Sequence, residues 1–158
     1  MDSSVFNSID ELLQRYAKVL DRKDMRGWLA CFGEDGTYLC QSWENYTEGL
    51  PVGFMLDDCH ARLRDRVKAV DEVWAGTAED YQPRHLCQRL SCEADEQGGY
   101  QVVSNFVVFY TTNRGDSQVL ATGEYLDRVR VVDGVASLVS RKAILDQDVA
   151  PRYLVYPI

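Results

Sequence analysis

Two histidines, one aspartate and one tyrosine are the residues of this 158-residue sequence best suited to acid–base chemistry. His60 follows a pair of aspartates and His85 follows an arginine, so either imidazole could act as a general acid or base beside a carboxylate. Asp35 and Tyr38 lie at a predicted short strand, where burial would raise the pKa of the carboxyl group and make it a base. This set would suit a small dehydratase or isomerase.

A structural role is nevertheless the preferred interpretation of each of these four residues. His60 is expected to be a solvated residue near the start of a helix, and His85 an outward-pointing strand residue. Asp35 is expected to end a turn, and Tyr38 to be a packed ring. We therefore predict no catalytic residue in the chain.

The five cysteines do not form a metal-binding pattern. They are Cys31, Cys40, Cys59, Cys87 and Cys92. The sequence contains no Cys-x-x-Cys pair, whereas structural zinc sites use closely spaced ligand pairs. We predict reduced, buried or half-buried thiols, and neither a metal nor a cofactor bound by this chain.

Charge and hydropathy exclude several classes of protein. With 17 basic and 25 acidic side chains the net charge is −8, which argues against binding to a nucleic-acid backbone. No apolar run reaches the roughly 18 residues that a membrane-spanning helix needs. The first residues carry no basic, apolar leader, so the expected location is the cytoplasm.

The first half of the chain has the periodicity of helices. Residues 8–20 carry one apolar stripe, with Ser8 as the expected N-cap. A second short helix follows Asp24 and is expected to end near Gly33 and Gly36. Residues 37–40 are a candidate strand and residues 41–55 a loop, and a third helix is predicted over 57–76.

The second half has the pattern of an antiparallel meander. The predicted strands span residues 84–94, 100–112, 118–132 and 135–145, and Asp133-Gly134 is a typical two-residue hairpin turn. A sheet of this length must twist and bend, with Gly123 and Gly98-Gly99 as candidate bends. The sequence therefore predicts one α+β domain over 1–158: a cone-shaped roll in which a strongly curved antiparallel sheet wraps around about three N-terminal helices.

Two aromatic segments are candidate interfaces. One is the predicted loop with Trp43 and Tyr46, and the other is the apolar tail over about 149–158, with Arg152, Tyr153 and Tyr156. An apolar tail must either fold back onto its own domain or dock onto a neighbouring chain. Aromatic side chains are enriched at subunit interfaces, which makes both segments candidates.

Four short stretches carry a family pattern in their order and spacing. They are Leu20-Asp21 with Trp28, Glu34-Asp35 and Tyr38; Met55-Leu56-Asp57-Asp58 with Leu63, Arg66, Val67 and Trp74; Pro83-Arg84-His85; and Ser104-Asn105-Phe106, Gly123-Glu124-Tyr125 with Asp127 and Arg128, and Arg141-Lys142-Ala143-Ile144-Leu145-Asp146. Over about residues 8–148 the chain resembles the small (β) subunit of aromatic-ring-hydroxylating dioxygenases, the Rieske non-haem iron enzymes. The order of elements is similar to the nuclear-transport-factor-like (ketosteroid-isomerase-like) roll. Residues 152–158 depart from the family pattern.

The resemblance implies a division of labour between two subunits. In this family the large α subunit carries the Rieske [2Fe-2S] cluster and the mononuclear iron, and three α and three β chains assemble around a β trimer. The β subunit is mainly structural, and the assembled enzyme adds dioxygen to an arene to give a cis-dihydrodiol. The sequence agrees with a subunit that carries no cluster, because a Rieske cluster needs two Cys and two His, and neither His60 nor His85 lies in such a motif.

Two alternatives remain open at this stage. A free-standing dehydratase or isomerase would use Asp35, Tyr38, His60 or His85 inside the cone, and would show an inward histidine near a carboxylate. A binding module without chemistry would show a pocket without convergent polar groups.

Overall fold

Four α-helices and six strands form the chain in a computed structural model that describes residues 3–77, 79–152 and 154–158. The helices are α1 (Ser3–Asp21), α2 (Met25–Leu29), α3 (Trp43–Thr47) and α4 (His60–Lys68), and α4 continues into a π-helical turn over Ala69–Val73. The strands are β1 (Phe32–Ser42), β2 (Met55–Asp57), β3 (Tyr81–Ala94), β4 (Tyr100–Thr112), β5 (Ser117–Val132) and β6 (Val135–Leu145).

All six strands belong to one curved, unclosed sheet in the order β2-β1-β6-β5-β4-β3. The predicted meander of β3 to β6 is confirmed, with every neighbouring pair antiparallel. The sheet is not wholly antiparallel, however, because β1 pairs with β6 in parallel. The predicted α+β roll is confirmed with that correction.

Helix α1 lies across the sheet because its apolar residues form one stripe. Ile9, Leu12, Tyr16 and Leu20 are all fully buried in the core. The helix begins at Ser3, so the predicted N-cap at Ser8 is wrong. The Ser8 hydroxyl lies inside the helix, 3.0 Å from the Ser4 carbonyl oxygen and 2.7 Å from the Gly134 carbonyl oxygen.

The short helix α2 confirms the predicted cap at its start and corrects its end. The Asp24 carboxylate accepts a hydrogen bond of 2.8 Å from the Gly27 backbone N–H. The helix ends at Leu29, and Gly33 and Gly36 lie in β1 instead of closing it. Helix formation stops there because β1 pairs with β6, a partner more than 100 residues away in sequence.

The segment predicted as a loop contains regular structure. Helix α3 begins after Ser42, whose hydroxyl accepts a hydrogen bond from the Asn45 N–H. Strand β2 then occupies residues where the third helix was predicted to start. The helix begins at His60 instead, because residues 55–57 pair with β1. The Asp57 carboxylate is buried against Arg66 of this helix, with two hydrogen bonds of 3.0 Å.

The predicted Asp133-Gly134 turn is confirmed, and Gly123, predicted as a bend, has a role in strand packing. Asp133 and Gly134 have φ angles of 50° and 77°, as a type I′ hairpin turn requires. At Gly123 a Cβ atom would lie 1.9 Å from the Ile144 carbonyl oxygen, so only glycine permits β5 to approach β6 this closely.

The core lies between the helices and the concave face of the sheet. Its centre is aromatic: the Trp28, Phe32 and Tyr38 rings meet edge to face at centroid distances of 5.0–6.5 Å, and Phe106 stacks on Tyr125 at 4.4 Å. Among the described residues no helix is both long and apolar enough to span a membrane.

Candidate functional site

The four residues considered for acid–base chemistry do not converge on one point. Asp35 is exposed and forms a bidentate ion pair with Arg130, with distances of 3.1 and 2.7 Å. Hydrogen bonding from Arg130 lowers the pKa of Asp35, which is the opposite of the raised pKa that a buried base would have. The prediction of a possible buried carboxylate is therefore wrong, and Asp35 remains ionised at neutral pH.

Tyr38 is a buried structural residue. Burial raises its pKa well above the ordinary value, so the hydroxyl stays protonated. The hydroxyl donates to the Ile158 carbonyl oxygen at 3.1 Å and accepts from the Ile158 N–H at 2.9 Å. His60 is half-buried in the first turn of α4. Tyr38 and His60 therefore do not face a common reacting atom.

His85 points inward, contrary to the prediction of an outward-pointing side chain. Its side chain is 3% exposed, and its Nδ1 lies 2.7 Å from Asp21 Oδ1, on the last residue of α1. The same carboxylate oxygen accepts the His85 backbone N–H at 2.9 Å. Among the described residues, His85 Nε2 has no hydrogen-bond partner. The inward histidine beside a carboxylate matches one expectation of the enzyme alternative, but Asp35 and Tyr38 are bonded elsewhere.

A buried ion pair, which the sequence reasoning missed, lies inside the cone instead. Arg141 on β6 donates to Asp127 on β5 through Nε at 2.8 Å and Nη2 at 2.6 Å, and both side chains are fully buried. The guanidinium lies 3.9 Å from the ring centroids of both Tyr16 and Tyr125. The period of two in β5 contained a signal for this pair, since it places Asp127 on the same face as Tyr125.

Large side chains pack together inside the cone. Trp28, Tyr16, Tyr38, Tyr125 and Arg141 are each at most 1% exposed. Burial raises the pKa of the Tyr16 and Tyr125 hydroxyls, which keeps them protonated. A packed interior of aromatic rings around this ion pair fits a role in supporting the sheet and the helices. Among the described residues, Arg141 Nη1 and the Tyr125 hydroxyl form no hydrogen bond.

Two of the five thiols belong to the core. Cys31 and Cys40 are buried, and burial raises the pKa of the Cys40 thiol to about 12, which makes it a poor nucleophile. Cys59 is exposed, contrary to the prediction that every thiol is at least half-buried. In the described part of the chain, no three His, Cys, Asp or Glu side chains are grouped so that they could hold a metal ion.

The predicted aromatic interface around α3 is on the surface. Trp43 and Tyr46 are 47% and 38% exposed, and their ring centroids are 5.9 Å apart. Trp43 also lines an open groove of about 550 Å³ on the outer side of the sheet, together with Val107, Thr122 and Glu124. An exposed pair of large aromatic rings beside a groove is typical of a protein contact site.

The predicted tail folds back onto its own domain. Ile158 is buried in the core, and its carbonyl oxygen also accepts a hydrogen bond of 2.9 Å from the Tyr16 hydroxyl. The Tyr156 ring meets that of Tyr81 edge to face at 6.2 Å. Arg152 is exposed, and Tyr153 lies outside the described residues.

A second groove lies between α1 and β3, and we call it the α1–β3 groove. It has a volume of about 920 Å³. It is lined by Asp10, Leu13, Gln14, Ala17, Lys18, Asp21, Arg22, Lys23, Gln82, Arg84, His85, Leu86, Cys87 and Arg89. The sequence reasoning did not identify it, because its two walls come from segments about 60 residues apart.

Comparisons with known proteins agree with one another. The sequence profile of a family described as ring hydroxylating beta subunit matches residues 15–152. The small subunit of anthranilate 1,2-dioxygenase from Burkholderia cepacia is 33% identical over 158 residues, covering 99% of this chain and 96% of that protein. Subunit β 2 of the terminal oxygenase component of terephthalate 1,2-dioxygenase from a Comamonas species is 30% identical over 143 residues, covering 90% and 92% of the two chains.

A solved structure shows the same architecture. The crystal structure of the β subunit of a proposed aromatic-ring-hydroxylating dioxygenase from Novosphingobium aromaticivorans superposes with a TM-score of 0.84 at 29% sequence identity. The match covers 96% of this chain and 95% of that chain.

Proposed function

The chain belongs to the family of ring-hydroxylating dioxygenase β subunits, and we propose that it acts there as a scaffold that supplies no reacting group. It is a component of an oxidoreductase, and the iron centres of such enzymes belong to the large α subunit. The residues of this chain do not fit a Rieske cluster, which needs two cysteines and two histidines at one site, because no three His, Cys, Asp or Glu side chains are grouped in this way among the described residues.

The packing of large side chains inside the cone is the observation that carries this proposal. The interior positions hold aromatic rings and the Asp127–Arg141 pair, and the polar groups of Asp35 and Tyr38 are engaged in structural contacts. A rigid core of this kind suits a subunit whose contribution is the shape of its surface. The alternative of a free-standing dehydratase or isomerase has no comparable support, and neither has that of a ligand-binding module.

The assembly that we propose contains three α and three β chains, built on a trimer of this chain in the cytoplasm. The Trp43–Tyr46 pair on α3 is the proposed contact between copies. Large aromatic side chains that are exposed in the single chain and become desolvated on association contribute most of the binding free energy of many interfaces. Both side chains were candidates on the sequence alone, and both are exposed.

Replacing both aromatic residues should dissociate the trimer. We expect the wild-type chain to elute at three times its 18.0 kDa mass in light scattering, and the Trp43→Ala/Tyr46→Ala variant to elute mainly as one chain. Truncating two central aromatic anchors typically costs about 2–4 kcal/mol each. Trp74→Ala is the matched control, because Trp74 is equally exposed but lies after α4. A trimer that survives the double substitution, or one that Trp74→Ala also dissociates, contradicts this contact.

The proposed substrate of the assembled enzyme is an aromatic carboxylate. Both curated relatives described above are named for carboxylated benzene rings, terephthalate and anthranilate. The complex would use electrons from NADH to add both atoms of dioxygen to such a ring, giving a cis-dihydrodiol.

Turnover by the purified complex tests the substrate class. With NADH and the matching electron-transfer proteins, we expect oxygen consumption coupled to product with benzoate, anthranilate or terephthalate. With naphthalene or toluene, which carry no carboxylate, we expect turnover at least about tenfold slower, since a site built for a charged group leaves its polar groups unpaired with an apolar analogue. Equal or faster turnover of the hydrocarbons would contradict the proposal.

A further inference from the structure

The α1–β3 groove concentrates positive charge on a chain whose net charge is −8. Five of its lining residues are cationic and two are acidic. The cations are Lys18, Arg22, Lys23, Arg84 and Arg89. The groove therefore has a local charge opposite to that of the whole chain, and it would attract negative groups that the rest of the surface repels.

Contacts within the chain neutralise only part of this charge. Arg89 forms a bidentate ion pair with Asp10 at 2.7 and 3.0 Å, and Lys23 pairs with Asp80. Lys18 and Arg22 form no ion pair with any residue that the structure describes, and Arg84 reaches a carboxylate only at 3.9 Å. Three exposed cations, Lys18, Arg22 and Arg84, are thus left facing one groove.

Helix electrostatics explain only one wall of the groove. Cations at the C-terminal end of a helix are favoured by the partial negative charge there, which accounts for Lys18 in the last turn of α1 and for Arg22 directly after it. The two are four residues apart, however, and like charges at that spacing repel each other. Arg84 lies on β3, 3.9 Å from the Asp21 carboxylate at the end of α1, and it adds a third positive charge to the same space.

The floor and rim of the groove provide further contacts. Leu86 lies on the rim, in the edge strand β3, and its apolar side chain is 63% exposed. On the floor, Asp21 holds the His85 imidazole through Nδ1, while Nε2 has no partner among the described residues. The groove therefore offers cations and an apolar rim along an open surface, and the His85 imidazole beneath them is almost fully buried.

We propose that the α1–β3 groove binds an extended acidic segment of the iron-bearing large subunit, with its carboxylates on Lys18, Arg22 and Arg84. This inference rests on the proposed function, since it assigns that subunit a place on the surface. The groove lies at the β3 end of the sheet, whereas α3 follows β1 near the other end, so copies of the chain and the large subunit would occupy separate surfaces. A volume of about 920 Å³ accommodates several residues of an extended segment.

Charge reversal in the groove tests the proposal on the purified subunits. The large subunit is identified by its iron and acid-labile sulfide, and its affinity for this chain is measured at about 50 mM NaCl, where screening is weak. We expect Lys18→Glu/Arg22→Glu/Arg84→Glu to weaken binding at least about tenfold and to flatten its salt dependence. The control Arg64→Glu/Lys68→Glu/Arg114→Glu makes the same change in net charge at exposed sites elsewhere and should change binding less than about twofold.

Photo-cross-linking identifies the occupant without altering these charges. A benzophenone amino acid at Gln14, an exposed residue of the groove, should cross-link to an Asp- and Glu-rich segment of the large subunit, and one at Asn113 should not. Cross-links to a second copy of this chain or to a segment without acidic residues would overturn the proposal, as would a groove variant that binds like its control. If the triple variant does not fold, Arg84→Glu alone and the Gln14 cross-link decide the question. A wild-type chain that binds no iron-bearing subunit would overturn the proposed function as well.

Discussion

Replacing Asp127 with asparagine should lower the free energy of unfolding by about 3–5 kcal/mol, because it leaves the Arg141 guanidinium buried without a counter-charge. The remaining amide can accept only part of the hydrogen bonding that the carboxylate accepts at 2.8 and 2.6 Å. The two tyrosine rings beside the guanidinium attract a cation but do not neutralise it. Urea unfolding followed by circular dichroism, at one fixed protein concentration, measures the loss.

The chain supplies a matched control for this experiment. Asp35 and Arg130 form the same bidentate geometry in an exposed position, and Asp35→Asn should cost no more than about 1 kcal/mol. Replacing both buried partners, as Asp127→Leu/Arg141→Met, should cost less than Asp127→Asn alone, since no unpaired charge remains. If Asp127→Asn and Asp35→Asn cost the same, the buried pair does not support the core as described.

Replacing Ile158 with alanine should lower the free energy of unfolding by about 2–5 kcal/mol. Ile158 is 1% exposed and fills space in the core, so the substitution removes buried methyl groups and leaves a cavity. Its backbone is bonded to two buried tyrosine hydroxyls, of Tyr16 and Tyr38, and the cavity should loosen both hydrogen bonds. The same unfolding assay measures the change.

Val149→Ala is the control for Ile158→Ala. Val149 is 78% exposed and lies in the same apolar tail, and its replacement should change the free energy of unfolding by less than about 0.5 kcal/mol. Equal effects at the two positions would mean that the tail does not pack on its own domain.

Features encoded by neighbouring residues could be predicted from the sequence. The apolar stripe of α1, the Asp24 cap and the Asp133-Gly134 turn each depend on residues a few positions apart, and all three are present. The meander of β3 to β6 also depends on short connections, so the period of two and the turn residues were sufficient.

Features that depend on distant partners could not be predicted in the same way. The parallel pairing of β1 with β6 joins segments about 100 residues apart, and it extended a short predicted strand to eleven residues. His85 turns inward because Asp21, 64 residues earlier, accepts both its ring and its backbone N–H. Ser8 lies inside a helix that begins at Ser3, and its hydroxyl donates to the carbonyl oxygen of Gly134, 126 residues away in the β5–β6 turn.

Charged residues in the interior explain the remaining errors about the site. A charged side chain is usually exposed, so the inward-facing positions of Asp127 and Arg141 were not recognised as a pair. Asp57 was expected to start a helix, yet it lies in β2, where its carboxylate is buried against Arg66 of α4. In both cases the carboxylate is stabilised by an arginine that no local pattern identifies as its partner.

The iron and acid-labile sulfide content of the complex that this chain forms tests the central claim most directly. The chain is purified through a tag from the cells that naturally express it, and the eluate is weighed by native mass spectrometry. We predict an equimolar larger subunit that contains iron and acid-labile sulfide, in a particle of three chains of each kind. A chain that elutes alone and without metal, from cells shown to express it, would contradict the account and would direct attention to His85 and the cone.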